Sequence, residues 1–190
     1  MNQPLTRVFY LRSAPQVARG LLGKIVALDG VSGRIVETEA YLGEDDGAAH
    51  SARGITPRTR ILFGPPGHAY VYFIYGMYDC LNVVCEPDGI AGGVLIRALE
   101  PLTGLDEMRI RRPSARRDED LTNGPGKLTR ALGIKITHNG ADVTKGPITI
   151  HAPERARKFE IATSARIGIT KSADLPLRFF IKDNPYVSRR

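Results

Sequence analysis

"GKIVALDGVSGRIVETEAYLG", residues 23–43, reads as two β-rich runs joined by "DGVSG", a loop holding the turn residues a hairpin wants. A hairpin here commits the chain to antiparallel pairing, and the neighbouring segments agree. Upstream, "RSAPQVARGLLGK" opens with Ser13, carries Pro15 near its start and Gln16 three residues after the serine, and ends at Gly20 or Gly23. That is the pattern of a short capped helix. Downstream, "AYVYFIY", "CLNVVC", "GVLIRAL", "GPITIHA", "ARIGIT" and "LRFFIKD" read as further strands. Between them "GLDEMRIRR" and "GPGKLTRALG" read as helices, the second closed by Gly133. Strands joined mainly by hairpins, with few and short helices, predict an α+β domain built on an antiparallel sheet. No internal repeat is visible. The stretch from Gly43 to Gly67 is rich in Gly, Pro, Arg and Asp and weak in periodicity, and a loop that long inside a compact domain is usually functional.

The chain has 190 residues, enough for one domain with a real core and too few for two comfortable ones. Hydrophobic content of 42% and charged content of 25% argue against disorder. A net charge of +7 favours polyanionic partners, nucleic acid first, against the alternative of a merely solvated basic surface. The run "RIRRPSARRDED" reads better as a self-neutralising surface loop than as a DNA arm. Cys80 and Cys85 are too few for a secreted disulfide scaffold and lack a second metal-ligand pair, so both are expected reduced, in or near the core. No apolar leader or membrane-length segment is present, and the expected location is cytoplasmic and nucleoid-associated, not secreted, with no membrane contact.

Chemistry gathers in three places. Strand alternation in "RIVETEAY" puts Ile35, Glu37, Glu39 and Tyr41 on one face, with the two carboxylates about 7 Å apart on a regular strand. Two carboxylates can flank a glycosidic bond, or a single one can act as the base that directs a water; an edge strand with solvated acids is the plain alternative. In "GVLIRALEP" alternation groups Arg97 with Leu95 and Leu99, and a buried guanidinium requires an anion, Glu39 or Glu37. In "YVYFIYGMY" Tyr70 and Tyr72 share a face, while Gly76 permits a turn that displays Tyr75, Met77 and Tyr78 at a hairpin tip. On a basic protein such a tip has the form of a wedge that unstacks a base step, against the alternative of an ordinary hairpin with core aromatics. The four histidines, His50 among them, fit no zinc-deaminase pattern, so no metal or cofactor is expected. "TNGPGKL" lacks full P-loop spacing, but a helix N-terminus with Lys127 can meet a backbone phosphate.

Taken together, "RIVETEAYLGEDDGAAHSARGITPRTRILFGPPGHAYVYFIYGMYDCLNVV", "GGVLIRALEP", "NGPGKLTRALGI" and "RIGIT" with "PLRFFIKDNPYVS" resemble the alkyladenine (3-methyladenine) DNA glycosylase family over most of the chain. The resemblance implies one mixed domain over residues 1–190, with a curved antiparallel sheet, a protruding β-hairpin and short surrounding helices. It also implies a monomer acting on double-stranded DNA through the minor groove, flipping an alkylated or deaminated purine and hydrolysing its N-glycosidic bond to leave an abasic site. Carried over residue by residue, Glu39 matches the general base and Arg97 the arginine that helps hold its water, which weakens the two-carboxylate reading. Tyr41, His50 and Tyr72 match the residues that sandwich and recognise the flipped base, Asn82 the pocket asparagine that screens against guanine, and the main chain at Ile167 a further ligand of the water. Tyr75 matches the tyrosine that fills the vacated space, with Met77 and Tyr78 beside it and Thr56, Arg58 and Lys127 as DNA contacts. Asp79 stands where an apolar residue is expected beside the tip, and the absence of the longer tails of animal relatives fits a bacterial-type enzyme. A strand-cleaving lyase needs an amine nucleophile, and no lysine lies between Lys24 and Lys127, so simple hydrolysis is expected. The rival from another class is a non-catalytic damage- or RNA-binding module that stacks bases on the same tyrosines.

Overall fold

Asp29 and Gly30 take positive φ, 48° and 81°, and fold β1 (Ile25–Leu28) directly back on β2 (Val31–Tyr41). Two left-handed residues match the twist of the flanking strands, so the turn is shorter than the five-residue loop expected, and Val31 to Gly33 join the strand. The computed structural model describes residues 3–188. Six further strands complete one sheet: β3 (Ala69–Ile74), β4 (Tyr78–Val84), β5 (Gly93–Thr103), β6 (Thr149–His151), β7 (Ile161–Ser164) and β8 (Arg178–Ile181). The order is β3-β4-β5-β2-β1-β6, with β8 on β2 beyond the end of β1 and β7 outside β8, and every pair is antiparallel.

The central pair β2–β5 is irregular where the chemistry was expected. Ile35 faces Leu99 and Glu37 faces Ala98, but Thr38 already faces Ile96, so Val36 and Arg97 each stand opposite no single partner. Such bulges increase local twist and re-aim side chains. Simple alternation therefore fails on both strands. Ile35 and Leu99 belong to the apolar core, not to the face that carries Glu37, Glu39 and Arg97, whereas Leu95 stays beside Arg97 on a cavity wall.

The helices are α1 (Arg7–Tyr10), α2 (Ala14–Leu21), α3 (Leu105–Arg111), α4 (Glu119–Thr122) and α5 (Pro125–Leu132). The Ser13 N–H donates to Gln16 Oε1 at 3.3 Å, and α2 stops before Gly23, whose φ of 79° no helix accepts; Gly20 lies inside it. Val17, Ala18 and Leu21 of α2 are buried, and the Thr38 hydroxyl donates to the Ala18 carbonyl at 3.0 Å, tying helix to sheet. On α5, Leu128, Ala131 and Leu132 are buried, and Gly133 caps it left-handedly. Both ends of the core meet in one continuous apolar cluster that includes Ile35, Ile96, Met108 and Leu128.

Two further expectations change. "ARIGIT" is no strand: β7 ends at Ser164, and residues 165–170 leave the sheet through Gly168 at φ 74°. A main chain that leaves the ladder has its N–H groups available for another partner. Residues 43–67 are not structureless either, since 3₁₀ turns form at 43–45, 50–53 and 60–63. The arginine run is only partly the self-neutralising surface loop expected: Arg109 pairs with Asp106 and Asp118 and Arg117 with Asp120 at the surface, but Arg109 and Arg111 lie on α3, Arg112 is buried on the Asp120 carbonyl and Arg111 donates to the Ala131 carbonyl. Cys80 and Cys85 are free and buried. Among the described residues, no helix is long and apolar enough to cross a membrane.

Candidate active site

The end of β2, the outer halves of β3 to β5, the first residues of α5 and the segments 48–51 and 167–169 enclose a cavity of about 370 Å³. That is the small end of the range for small-molecule sites, roughly 300–1,000 Å³. Tyr41, His50, Tyr72, Asn82, Arg97 and Ile167 all line it. These six residues come from six separate elements or segments and converge on one space.

Behind the wall lie the two carboxylates, both with side chains fully shielded from solvent. Their surroundings give them different work. Glu37 Oε1 accepts from Arg178 Nε at 2.6 Å, Ser188 Oγ at 2.9 Å and Arg97 Nε at 3.2 Å, and its Oε2 accepts the Ser188 N–H at 2.7 Å. Three of these four donors come from Arg178 and Ser188, which do not line the cavity: Glu37 fastens β8 and Ser188 to β2. Glu39 Oε1 accepts the Ile167 N–H at 2.8 Å with Arg97 Nη1 at 3.3 Å, and Oε2 accepts the Tyr41 hydroxyl at 3.0 Å. Two hydrogen bonds and the ion pair with Arg97 hold Glu39, and Oε2 keeps a lone pair beyond the Tyr41 hydroxyl. Arg97 thus bridges both glutamates, so each of the two partners anticipated for it is real. Burial raises the Glu39 pKa above its ordinary value, with the Arg97 charge, the Ile167 N–H and the Tyr41 hydroxyl opposing and the Glu37 charge adding to the rise. The direction suits a base poised between its two forms.

The cavity walls are aromatic. His50 sits edge-on to Tyr72 with ring centroids 4.6 Å apart, and Tyr70 lies 5.3 Å from Tyr72. The Tyr70 hydroxyl accepts from Arg58 Nε at 3.2 Å and meets His50 Nδ1 at 2.9 Å. Desolvation, helped by the Arg58 charge, lowers the His50 pKa to about 4, so the imidazole is neutral at physiological pH. Burial, with Glu39 and Tyr72 nearby, pushes the Tyr41 phenol far up, and burial with Cys80 does the same for Tyr72; both remain proton donors. Asn82 is buried, and its Nδ2 donates to the Tyr70 carbonyl at 3.3 Å.

At the cavity mouth the β3–β4 hairpin turns through Tyr75 and Gly76, both at positive φ (54° and 68°), with the Met77 N–H donating to the Ile74 carbonyl at 3.3 Å. This is the type I′ geometry. An aromatic residue in the left-handed region is strained, and such strain collects at functional sites. Tyr75 is 77% exposed and Met77 65%. Tyr78 packs on Gly126 at the start of α5, where an added Cβ would come within 2.6 Å of its ring. Asp79 turns from the tip toward Lys135, His138 and the Ile136 main chain.

Of the expected DNA contacts, Lys127 lies on the first turn of α5 with Nζ on Asn123 Oδ1 at 2.7 Å. Arg58 is exposed at the rim, with its guanidinium 5.2 Å over the Tyr72 ring, and the Thr56 hydroxyl is engaged with Thr59. Sequence reasoning missed Tyr70 as a pocket residue, although its shared face with Tyr72 signalled it. It also missed the buried Arg166–Asp46 pair, for which 120 residues of separation left no signal.

A neutral aromatic slot, a shielded carboxylate behind its wall and a displayed tyrosine at its mouth belong together in a DNA glycosylase. Comparison with known proteins names the family. Residues 8–185 match the profile described as "Methylpurine-DNA glycosylase", and the chain belongs to that family. It is 49% identical to a protein of Bradyrhizobium diazoefficiens over all of this chain and 92% of the other. A Burkholderia cenocepacia protein is 51% identical over 96% of this chain and 89% of its own. A Methanoculleus marisnigri protein is 50% identical over 98% of this chain and 99% of its own. All three bear the name "Putative 3-methyladenine DNA glycosylase".

Proposed function

We propose that this chain, acting as a monomer from the minor groove, flips an alkylated or deaminated purine out of duplex DNA and hydrolyses its N-glycosidic bond with a water activated by Glu39. The water oxygen bonds to the sugar C1′, one of its protons goes to Glu39, and the C1′–N bond breaks with its electron pair leaving on the purine. A purine alkylated at N3 or N7 already carries positive charge and departs neutral, needing little acid catalysis, whereas a neutral lesion such as hypoxanthine departs as an anion and takes its proton from water. Tyr41, His50 and Tyr72 receive the flipped base, stacking best on an electron-poor ring. Asn82 stands against the exocyclic amine of guanine, and Tyr75, flanked by Met77 and Tyr78, fills the gap in the duplex. Thr56, Arg58 and Lys127 meet the backbone.

The observation that carries this reading is the contrast between the two glutamates. Glu37 is held by four donors, three of them from Arg178 and Ser188, which do not line the cavity, whereas Glu39 is held by Tyr41, Arg97 and the Ile167 N–H, all on the cavity wall, with Arg97 and the Ile167 N–H orienting it. The test is single-turnover excision, without metal, from duplexes carrying 3-methyladenine, 7-methylguanine, hypoxanthine or ethenoadenine, with wild type and Glu39→Gln side by side. A general base contributes about 10²–10⁴-fold, and the variant should lose that much while still binding the lesion. Undiminished excision by the variant removes Glu39 from the base role. Binding without release by either protein makes the chain a stacking module.

A further inference from the structure

Arg166 and Asp46 form a further buried ion pair, their side chains fully shielded from solvent, that lies behind the cavity-lining Tyr41 and Ile167 and does not itself line the cavity. The pair is bidentate: Nη1 reaches Oδ2 at 2.5 Å and Nη2 reaches Oδ1 at 2.8 Å. The remaining Nη hydrogens go to the carbonyls of Ala40 at 3.0 Å and Ser172 at 3.2 Å. The guanidinium carbon also lies 4.6 Å from the centre of the Tyr41 ring. Asp46 in turn accepts the N–H groups of Leu42 at 3.2 Å and Ala48 at 3.1 Å.

A buried ion pair is weak evidence of added stability, because an apolar pair of the same shape often does as well. Its geometry is more informative. Three segments meet on this one guanidinium: the end of β2 that carries Tyr41, the turn 43–49 that leads to His50, and residues 165–172, whose Ile167 N–H reaches Glu39. A lysine ammonium, a point charge, cannot hold both carboxylate oxygens and two carbonyls while lying flat on a ring.

We propose that Arg166, clamped by Asp46, is a positioning residue for base excision, holding the Tyr41 ring, the approach to His50 and the Ile167 N–H in one rigid unit around Glu39. The inference rests on Glu39 being the base. Both hydrogen-bond donors on Glu39, the Tyr41 hydroxyl and the Ile167 N–H, belong to segments held by Arg166. The charged and titratable groups around Glu39 are Glu37 and Tyr41 on β2, Arg97 on β5, Arg178 on β8 and Arg166 itself. With the two donors loosened, the ionised carboxylate keeps its ion pair with Arg97 but loses both of its hydrogen bonds, and the pH below which excision fails moves upward.

The experiment is single-turnover excision at saturating protein across pH, for wild type, Arg166→Lys and the apolar replacement Arg166→Met with Asp46→Leu, each scaled to its folded fraction by circular dichroism. Displacement of reacting groups by an ångström costs about 10²-fold. We expect a loss approaching that size in both variants, with the acid limb moved to higher pH and affinity for undamaged duplex unchanged. In a Glu39→Gln background Arg166→Lys should add little, since its effect runs through that carboxylate. If both variants keep the wild-type rate per folded molecule and the wild-type acid limb, or if the apolar pair does not fold, the pair is structural and the proposal fails. Full excision by Glu39→Gln alone would instead overturn the base assignment, a result separate from either.

Discussion

Replacing Glu37 by glutamine should cost the protein its stability, whereas the same change two residues along, at Glu39, should cost only its chemistry. Four donors converge on the Glu37 carboxylate: Arg178 Nε, Arg97 Nε and both the hydroxyl and the N–H of Ser188. An amide oxygen can serve the three donors on Oε1, but its NH₂ then meets the Ser188 N–H, two donors facing each other in a site closed to water. Glu37→Gln also leaves the buried Arg178 without its carboxylate, whereas Glu39→Gln leaves Arg97 still paired with Glu37. Breaking such a pair from one side costs about 3–5 kcal/mol. For a chain of this size each kcal/mol shifts the melting temperature by about 2–4 °C, so a fall of roughly 6–20 °C is expected. Glu39 is the reverse case: its raised pKa records a charge that burial disfavours, so Glu39→Gln should melt at or above the wild-type temperature. The assay is thermal unfolding by circular dichroism of the three proteins at pH 7, with excision measured below each midpoint. A Glu37→Gln midpoint within about 2 °C of wild type would refute the reasoning, because even one kcal/mol would exceed that shift.

Tyr75→Ser should leave the melting temperature unchanged, since the side chain is mostly in solvent, yet reduce the fluorescence rise of a 2-aminopurine beside the lesion; an unaltered signal would remove the wedge. Excision should rise with pH through the elevated Glu39 value and then level off, with no histidine limb near 6.5, because His50 is already neutral there. The linkage signs are opposite. Glu39 favours the folded state below a glutamate's ordinary pKa and loses that contribution as pH rises through its folded value. His50, lowered to about 4, contributes above pH 6.5 and loses that contribution as pH falls toward 4. Because His50 retains open solvent, its share is the softer of the two, and nitrogen-15 shifts showing a protonated ring at pH 6 would contradict it. Burial raises the Cys80 thiol to about 11 and Cys85 further, so neither should react with a disulfide reagent at pH 8 until the protein is unfolded; rapid labelling of the native form would contradict this.

Much of the architecture was legible because it depends on local chemistry. The β1–β2 hairpin, though not its two-residue turn, the capped α2, the left-handed Gly133 and the alternating runs around Tyr70 and Tyr72 are consequences of backbone sterics and period, which any window of a dozen residues contains. The sequence also determined which residue types were available to the site: two glutamates two apart, an arginine in an apolar strand, tyrosines around a glycine. Tertiary structure alone decided how those residues divide the work. Two offset bulges between β2 and β5 broke the alternation that would have put Ile35 with Glu37 and Leu99 with Arg97. Departure of residues 165–170 from the sheet brought the Ile167 N–H to Glu39, and the distant Arg178 and Ser188 claimed Glu37. Register shifts and long-range donors depend on which strands meet, and meeting is governed by the whole core rather than by neighbours in sequence. That is why the acids could be seen in the chain, while the difference between an anchor and a candidate base appeared only once it was folded.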